Sequence, residues 1–212
     1  MGLKIHSLGR VPTDIERSYF LYLLDYGWDE PLSRGLRRNF DKMASLASRN
    51  DAIVVAGFDG EEFSNEVFTY HQINGQPGEE ILPAILITTC HPHRFAEQNE
   101  FPHRSRHYGQ ALFDDRMVLI PLRGLCKSET DVTNLIEKLF RDIQEKKCLS
   151  DFGVYSQVAR GDRGALVDAI VLQPNVAGVG LDLKAIGRFL LNGLWPRRRT
   201  PAAQQGVEPD VE

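Results

Sequence analysis

The sequence predicts an α/β fold, a single Rossmann-like three-layer domain with a mostly parallel sheet, on three observations. Continuous apolar runs, Ala52-Ile53-Val54-Val55-Ala56, Ile85 to Thr89 and Met117 to Leu122, have the composition of strands covered on both faces. Amphipathic stretches with apolar residues at three- and four-residue spacing lie between or beside them. The resulting alternation of strand and helix is the pattern of βαβ units. At 212 residues, with 42% hydrophobic and 25% charged side chains, the chain has the length for one core and ordinary globular composition.

Each element has its own signal. Lys4 to Leu8 is a candidate strand, broken by Gly9-Arg10-Val11-Pro12. Ser18 to Leu24 reads as a buried strand closed by Asp25-Tyr26-Gly27. A helix starts at Asp29 as N-cap, with Pro31 in its first turn and Leu32, Leu36, Phe40, Met43 and Ala47 on its core face. After strand 52–56 and the turn Gly57 to Gly60, a helix is expected from Glu61 to Ile73, ended by Asn74-Gly75. Ser128 and Asp131 resemble a capping box, and Val132, Leu135, Ile136, Leu139, Phe140 and Ile143 mark a long helix behind it. Phe152 to Gln157 and Asp168 to Leu172 read as further strands, and a last helix runs from Leu183 to Leu191 with Asp182 as N-cap. The domain is expected to cover residues 1–195. Residues 196–212, with Arg197-Arg198-Arg199 and then Pro, Ala, Gln and acidic residues, read as a disordered tail. Leu36, Phe40, Val54, Ile87, Leu119 and Leu139 are the expected core.

Charge and cysteine usage narrow the class. A net charge of −4 gives no general attraction to phosphate backbones or anionic lipid, so sequence-specific nucleic acid and membrane are not expected partners. The longest apolar runs are too short to span a bilayer, and no signal-peptide pattern opens the sequence. Cys90, Cys126 and Cys148 are odd in number and lack C-x-x-C spacing, which fits reduced thiols in a cytoplasmic protein.

In a parallel sheet, ligands bind outside the carboxyl ends of the strands, which directs attention to Asp25 to Trp28, Gly57 to Gly60 and Thr88 to Arg94, with Asp25, Asp59, Thr88, His91, His93 and Arg94 as the candidate ligand contacts. On the helix after Gly60, Phe63, Val67, Tyr70 and Ile73 form one face, and Glu66 falls within it between Tyr70 and Ile73. A carboxylate on an inward face is costly unless it is paired or lies in a polar cleft, so Glu66 is a candidate catalytic acid. An edge residue that reaches solvent or pairs with an arginine is the plain alternative. His91, His93, His103 and His107 are four of the six histidines, but their spacing matches no zinc signature. No metal or cofactor is expected. Arg94, Arg104 and Arg106 beside them suit an anion such as phosphate instead.

The order of a strand ending in Tyr22-Leu23-Leu24-Asp25, a helix, the strand Asp51 to Val55, a turn with Asp59-Gly60, a helix bearing Glu66 and the strand Ala84 to Thr88 resembles nucleoside deoxyribosyltransferases and the related Toll/interleukin-1-receptor-like domains. The resemblance covers about residues 18–90; Phe63-Ser64-Asn65 does not reproduce the usual neighbours of the family glutamate. It implies a nucleotide-handling domain that hydrolyses or transfers at the N-glycosidic bond of NAD or a nucleoside, with Glu66 catalytic and Asp25, Asp59, Thr88, His91, His93 and Arg94 around the substrate. The competing expectation is a non-catalytic interaction module of a larger cytosolic assembly, with a protein partner or a second copy of the chain.

Overall fold

The computed structural model describes residues 1–71, 73–74, 78–93, 117–154, 170–172 and 181–182. The elements, in chain order, are β1 (Gly2–Ile5), a 3-10 turn (Leu8–Arg10), β2 (Tyr19–Leu24), α1 (Pro31–Arg38), α2 (Phe40–Arg49), β3 (Ala52–Gly57) and α3 (Gly60–Tyr70). They continue with β4 (Ile73–Asn74), α4 (Gly78–Ile81), β5 (Ala84–Thr88), β6 (Met117–Pro121), α5 (Leu122–Leu125), α6 (Glu129–Gln144), a second 3-10 turn (Leu149–Asp151), β7 (Ile170–Leu172) and β8 (Leu181–Asp182).

Among the described residues, six strands form an open sheet in the order β1-β3-β2-β5-β6-β7, and β4 pairs with β8 separately. The fold is therefore mixed α/β. β3 is parallel to both β1 and β2, as expected, but β2–β5, β5–β6 and β6–β7 are antiparallel. The expected mostly parallel sheet is thus parallel in one half only. The cause lies between α3 and β5. α3 starts beside the end of β2, and β5 begins at Ala84 opposite Leu24 at that same edge, so the intervening chain makes an extra pass back across the sheet. An apolar run announces a buried strand but carries no information about its direction.

Side-chain alternation divides the core in two. Tyr19, Leu21, Leu23, Val54, Ile85, Ile87, Val118 and Ile120 pack with Leu36, Met43, Leu139 and Phe140 from α1, α2 and α6. Phe20, Tyr22, Leu24, Ile53, Val55, Leu86 and Leu119 face the other way, onto Leu8, Val11, Phe63, Val67 and Ile81. Of the six expected core residues, Leu36, Val54, Ile87, Leu119 and Leu139 are buried, and Phe40 is half-buried against the first cluster.

Local chemistry explains the boundaries. The helix expected from Asp29 breaks at Asn39 into α1 and α2; its N-cap is Glu30, with Pro31 at the first helical position. The amide of Asn39 donates to the Gly35 carbonyl and to Thr133 Oγ1, tying the break to α6. A Cβ on Gly35 would lie 3.2 Å from Glu129 Cα, so the glycine lets α1 and α6 approach closely. The capping box is present in full: Ser128 Oγ accepts from the Asp131 amide at 3.2 Å, and Asp131 accepts from the Ser128 amide at 3.0 Å.

Other expectations shift. The first strand ends at Ile5 and Leu8 opens a 3-10 turn, while α3 stops at Tyr70 and leaves Ile73 to a strand. Gly153 and Val154 are helical, so Phe152 to Val154 do not begin a strand. Asp182 lies in β8, paired with Asn74. The expected helix 183–191, the tail 196–212, His103, His107, Arg94, Arg104 and Arg106 lie outside the described residues.

Candidate functional site

The antiparallel placement of β5 splits the expected site residues between opposite edges of the sheet. Leu24 pairs with Ala84 and Phe20 with Thr88. Asp25 and Thr88 are therefore about five residues, roughly 17 Å, apart along the strands.

At the first edge, α1 and α2 leave β2 toward one face and α3 leaves β3 toward the other, the arrangement that opens a ligand crevice in α/β sheets. Here that crevice is closed. A Cβ on Gly60 would stand 2.1 Å from the Asp25 carbonyl oxygen, so the two loops are in contact. The acids are also occupied. Asp25 accepts from the Gly27 amide at 3.1 Å and forms an ion pair with Arg37, while its own amide donates to Ser64 Oγ at 3.1 Å. Asp59 caps α3 by accepting from the Glu62 amide at 2.9 Å. With Glu61 and Glu62 in its first turn, this helix start repels an anionic ligand.

Glu66 is half-buried, as a position inside the α3 face requires, and it forms no ion pair with lysine or arginine among the described residues. Its carboxylate is nonetheless occupied. Oε1 accepts from Ser7 Oγ at 2.6 Å and Oε2 from the Leu8 amide at 2.8 Å, satisfying the start of the 3-10 turn after β1. Nothing places it beside Thr88, and the inward carboxylate is accounted for by a backbone it caps.

The second edge carries the cleft. Where β2 and β3 begin and β5 ends, a hollow of about 690 Å³ is lined by Thr13, Ile15, Glu16, Arg17, Ser18, Phe20, Asp51, Thr89, His91 and His93. That volume suits a nucleotide-sized ligand. Thr88 is fully buried, its hydroxyl accepting from the Cys90 amide at 3.1 Å, and the next residue, Thr89, faces the cleft in its stead.

Both histidines have defined tautomers. His91 Nε2–H donates to the Pro12 carbonyl at 3.1 Å, and its Nδ1 accepts from the His93 amide at 3.2 Å. His93 Nε2–H donates to the Val11 carbonyl at 3.1 Å. The rings stack with centroids 5.2 Å apart and an 18° interplanar angle, and His91 also meets Phe20 edge-on at 5.2 Å. They staple the end of β5 to the segment that crosses from β1 to β2.

The other end of that segment is pinned by Asp51, which has φ of 51°. Ser18 Oγ donates to Asp51 Oδ2 at 2.6 Å, and the Ser18 amide donates to the Asp51 carbonyl at 3.1 Å. The Ser18 hydroxyl, with Arg17 behind it, holds the Asp51 carboxyl below the usual carboxylate range. Arg17 is loosely held: its contact to Asp51 Oδ1 is 3.4 Å, and its buried Nε has no acceptor among the described residues. Glu16 is exposed and makes no hydrogen bond or ion pair among the described residues.

Sequence reasoning selected His91 and His93, and Thr89 within the segment Thr88 to Arg94, and passed over Glu16, Arg17, Ser18 and Asp51. These four fall in turns and beside strand ends with no motif around them. No group of three or more histidine, cysteine or acidic side chains among the described residues could hold a metal ion. No helix among them is long and apolar enough to cross a membrane. Comparison with protein-family models, curated proteins and solved structures gives no match, so the site stands on its own geometry.

Proposed function

We propose that the chain is a nucleotide-handling domain of Rossmann-like, three-layer build whose ligand, a nucleoside, a nucleotide or NAD, occupies the cleft at the start of β2. The observation that carries this reading is the convergence of the His91–His93 stack with Arg17, Glu16 and Asp51 around one hollow of about 690 Å³. Stacked imidazoles offer a flat surface to a base, the loosely held guanidinium suits a phosphate or ribose oxygen, and the carboxylates suit ribose hydroxyls. Hydrolysis or transfer at the N-glycosidic bond is the reaction class that a carboxylate beside a ribose supports. A cytoplasmic setting fits Cys90, Cys126 and Cys148, which form no disulfide with one another.

Calorimetric titration with adenosine, AMP, nicotinamide riboside and NAD tests this. At least one should bind with measurable heat, and Arg17→Ala and His93→Ala should each weaken it by about tenfold. Binding that survives both substitutions places the ligand elsewhere.

One observation favours a second reading, an interaction module. Phe58 is 62% exposed and stacks on His6 at 4.6 Å, beside β1, which closes its side of the sheet as an edge strand. Light scattering that shows self-association of the wild type and its loss in Phe58→Ser would support this module.

A further inference from the structure

Resting on the nucleotide reading, we propose that Arg17 is the anion anchor of the cleft and that the ligand enters as a phosphate monoester, a nucleotide with one terminal phosphate, in preference to a free nucleoside or NAD. Arg17 is the only lysine or arginine among the described residues that line the hollow. Its side chain is 34% exposed, and the hydrogen bond it makes, from Nη1 to Asp51 Oδ1, is long at 3.4 Å. Nε and Nη2, the nitrogens of its side-on edge, make no hydrogen bond among the described residues, and Nε is enclosed. That edge is a fork of parallel N–H donors, the geometry that matches two oxygens of one phosphate.

An enclosed charged donor without an acceptor is costly, so the side chain gains by turning toward a ligand that supplies one. Asp51 can release it. The Asp51 carboxylate already accepts from Ser18 Oγ at 2.6 Å, and that hydroxyl, ahead of Arg17, holds the carboxyl below the usual range. Loss of Arg17 therefore leaves Asp51 its stronger partner. The Ser18 amide donates to the Asp51 carbonyl at 3.1 Å, so the backbone beside Arg17 stays fixed while the guanidinium swings.

Charge sets the class of ligand. One guanidinium shares the hollow with two carboxylates, Glu16 and Asp51. A single phosphate fills the fork and can also accept from the hydroxyls of Thr13 and Thr89, which line the same hollow. A second phosphate, as in the pyrophosphate of NAD, meets no further cation there and stands among like charges. The Nε2 protons of His91 and His93 are not open to it, because both go to backbone carbonyls. A nucleoside without phosphate leaves the fork empty.

The test measures binding to the full chain by calorimetry, with AMP, ribose 5-phosphate, inorganic phosphate, adenosine and NAD, in wild type, Arg17→Ala, Arg17→Lys and Asp51→Asn. AMP should bind at least about tenfold more tightly than adenosine or NAD, and Arg17→Ala should remove that margin while leaving adenosine within about twofold. Arg17→Lys, which keeps the charge and loses the fork, should fall between. Asp51 has φ of 51°, a conformation that asparagine tolerates, and an amide oxygen can still accept from Ser18. Asp51→Asn thus removes the competitor for Arg17 and should tighten AMP by about two- to fivefold, the worth of one exposed ion pair. AMP binding that survives Arg17→Ala, adenosine or NAD binding as tightly as AMP, or weaker AMP binding in Asp51→Asn overturns the phosphate anchor and leaves the nucleotide reading standing. Ribose 5-phosphate or inorganic phosphate binding as tightly as AMP keeps the anchor and overturns the nucleotide as its source. If none of the five binds, both fall together.

Discussion

Two side chains under α3 show how a polar group is accommodated within an apolar layer. His71 is fully enclosed, its Nδ1–H donating to the Val67 carbonyl at 2.9 Å and its ring 5.3 Å from that of Tyr22. Burial pushes its pKa down to about 4, with the Val67 carbonyl acting in the opposite direction. In the unfolded chain the imidazole returns to the ordinary value of about 6.5 and binds the proton first. Stability is therefore complete above that value, is lost as pH falls toward 4, and levels off below; the full loss is on the order of 3 kcal/mol. Urea midpoints measured across this range should show the decline, and His71→Leu should flatten it. Glu66 supplies a second test. Glu66→Gln weakens two charge-assisted hydrogen bonds and should cost about 1–2 kcal/mol, and Ser7→Ala should cost less once Glu66 is already Gln. Equal costs in both backgrounds, read from a double-mutant cycle in urea, would deny the contact.

For the helices, termini and one shared seam matter more than propensity. α6 docks along α1 and α2 through Arg34 and Arg38 on Glu129 and Lys42 on Glu137, at 3.2, 2.8 and 2.6 Å. These pairs are exposed or partly exposed and contribute little, whereas Val132, Leu135, Ile136 and Leu139 beneath them carry the packing. The cap of α6 is worth more than any one of those pairs: Ser128→Ala should lower stability by about 1 kcal/mol, measured by chemical denaturation. Asp131→Ala should do the same, because it accepts from the Lys127 and Ser128 amides at 2.9 and 3.0 Å. This cap was legible in the sequence because its geometry is local. The break at Asn39 was not, since the apolar spacing continues from Leu36 through Phe40 to Met43 without interruption.

Across the whole molecule, one sheet separates two cores and so couples them. Leu139→Ala empties the side under α6, and Phe63→Ala the side under α3. Each should cost about 2–5 kcal/mol, and because the sites share no partners their effects should add within about 0.5 kcal/mol in the double variant. Both should unfold the chain in one transition; two separate transitions in calorimetry would show that the cores are independent. Contact between the loops after β2 and β3 closes the crevice where an α/β sheet would hold its ligand. Gly60→Ala should destabilise the fold measurably, since the added methyl meets the Asp25 backbone at 2.1 Å and no side chain can yield.

By itself the sequence determined what depends on composition and short-range order: the α/β class, the interior strands β2, β3, β5 and β6, the α6 cap, five of six core residues, and the inward face of α3 with Glu66 on it. Those features follow from period and burial, which neighbouring residues encode. Only the tertiary structure decided the direction of β5, and with it everything about the site. Reversal of that strand carried Thr88, His91 and His93 to the edge opposite Asp25 and Asp59. There they met Glu16, Arg17 and Asp51, residues in turns whose sequence has no periodic or motif signal. Strand direction is set by how the chain returns between elements, and a cleft by which distant segments then converge, so neither is written in any local window.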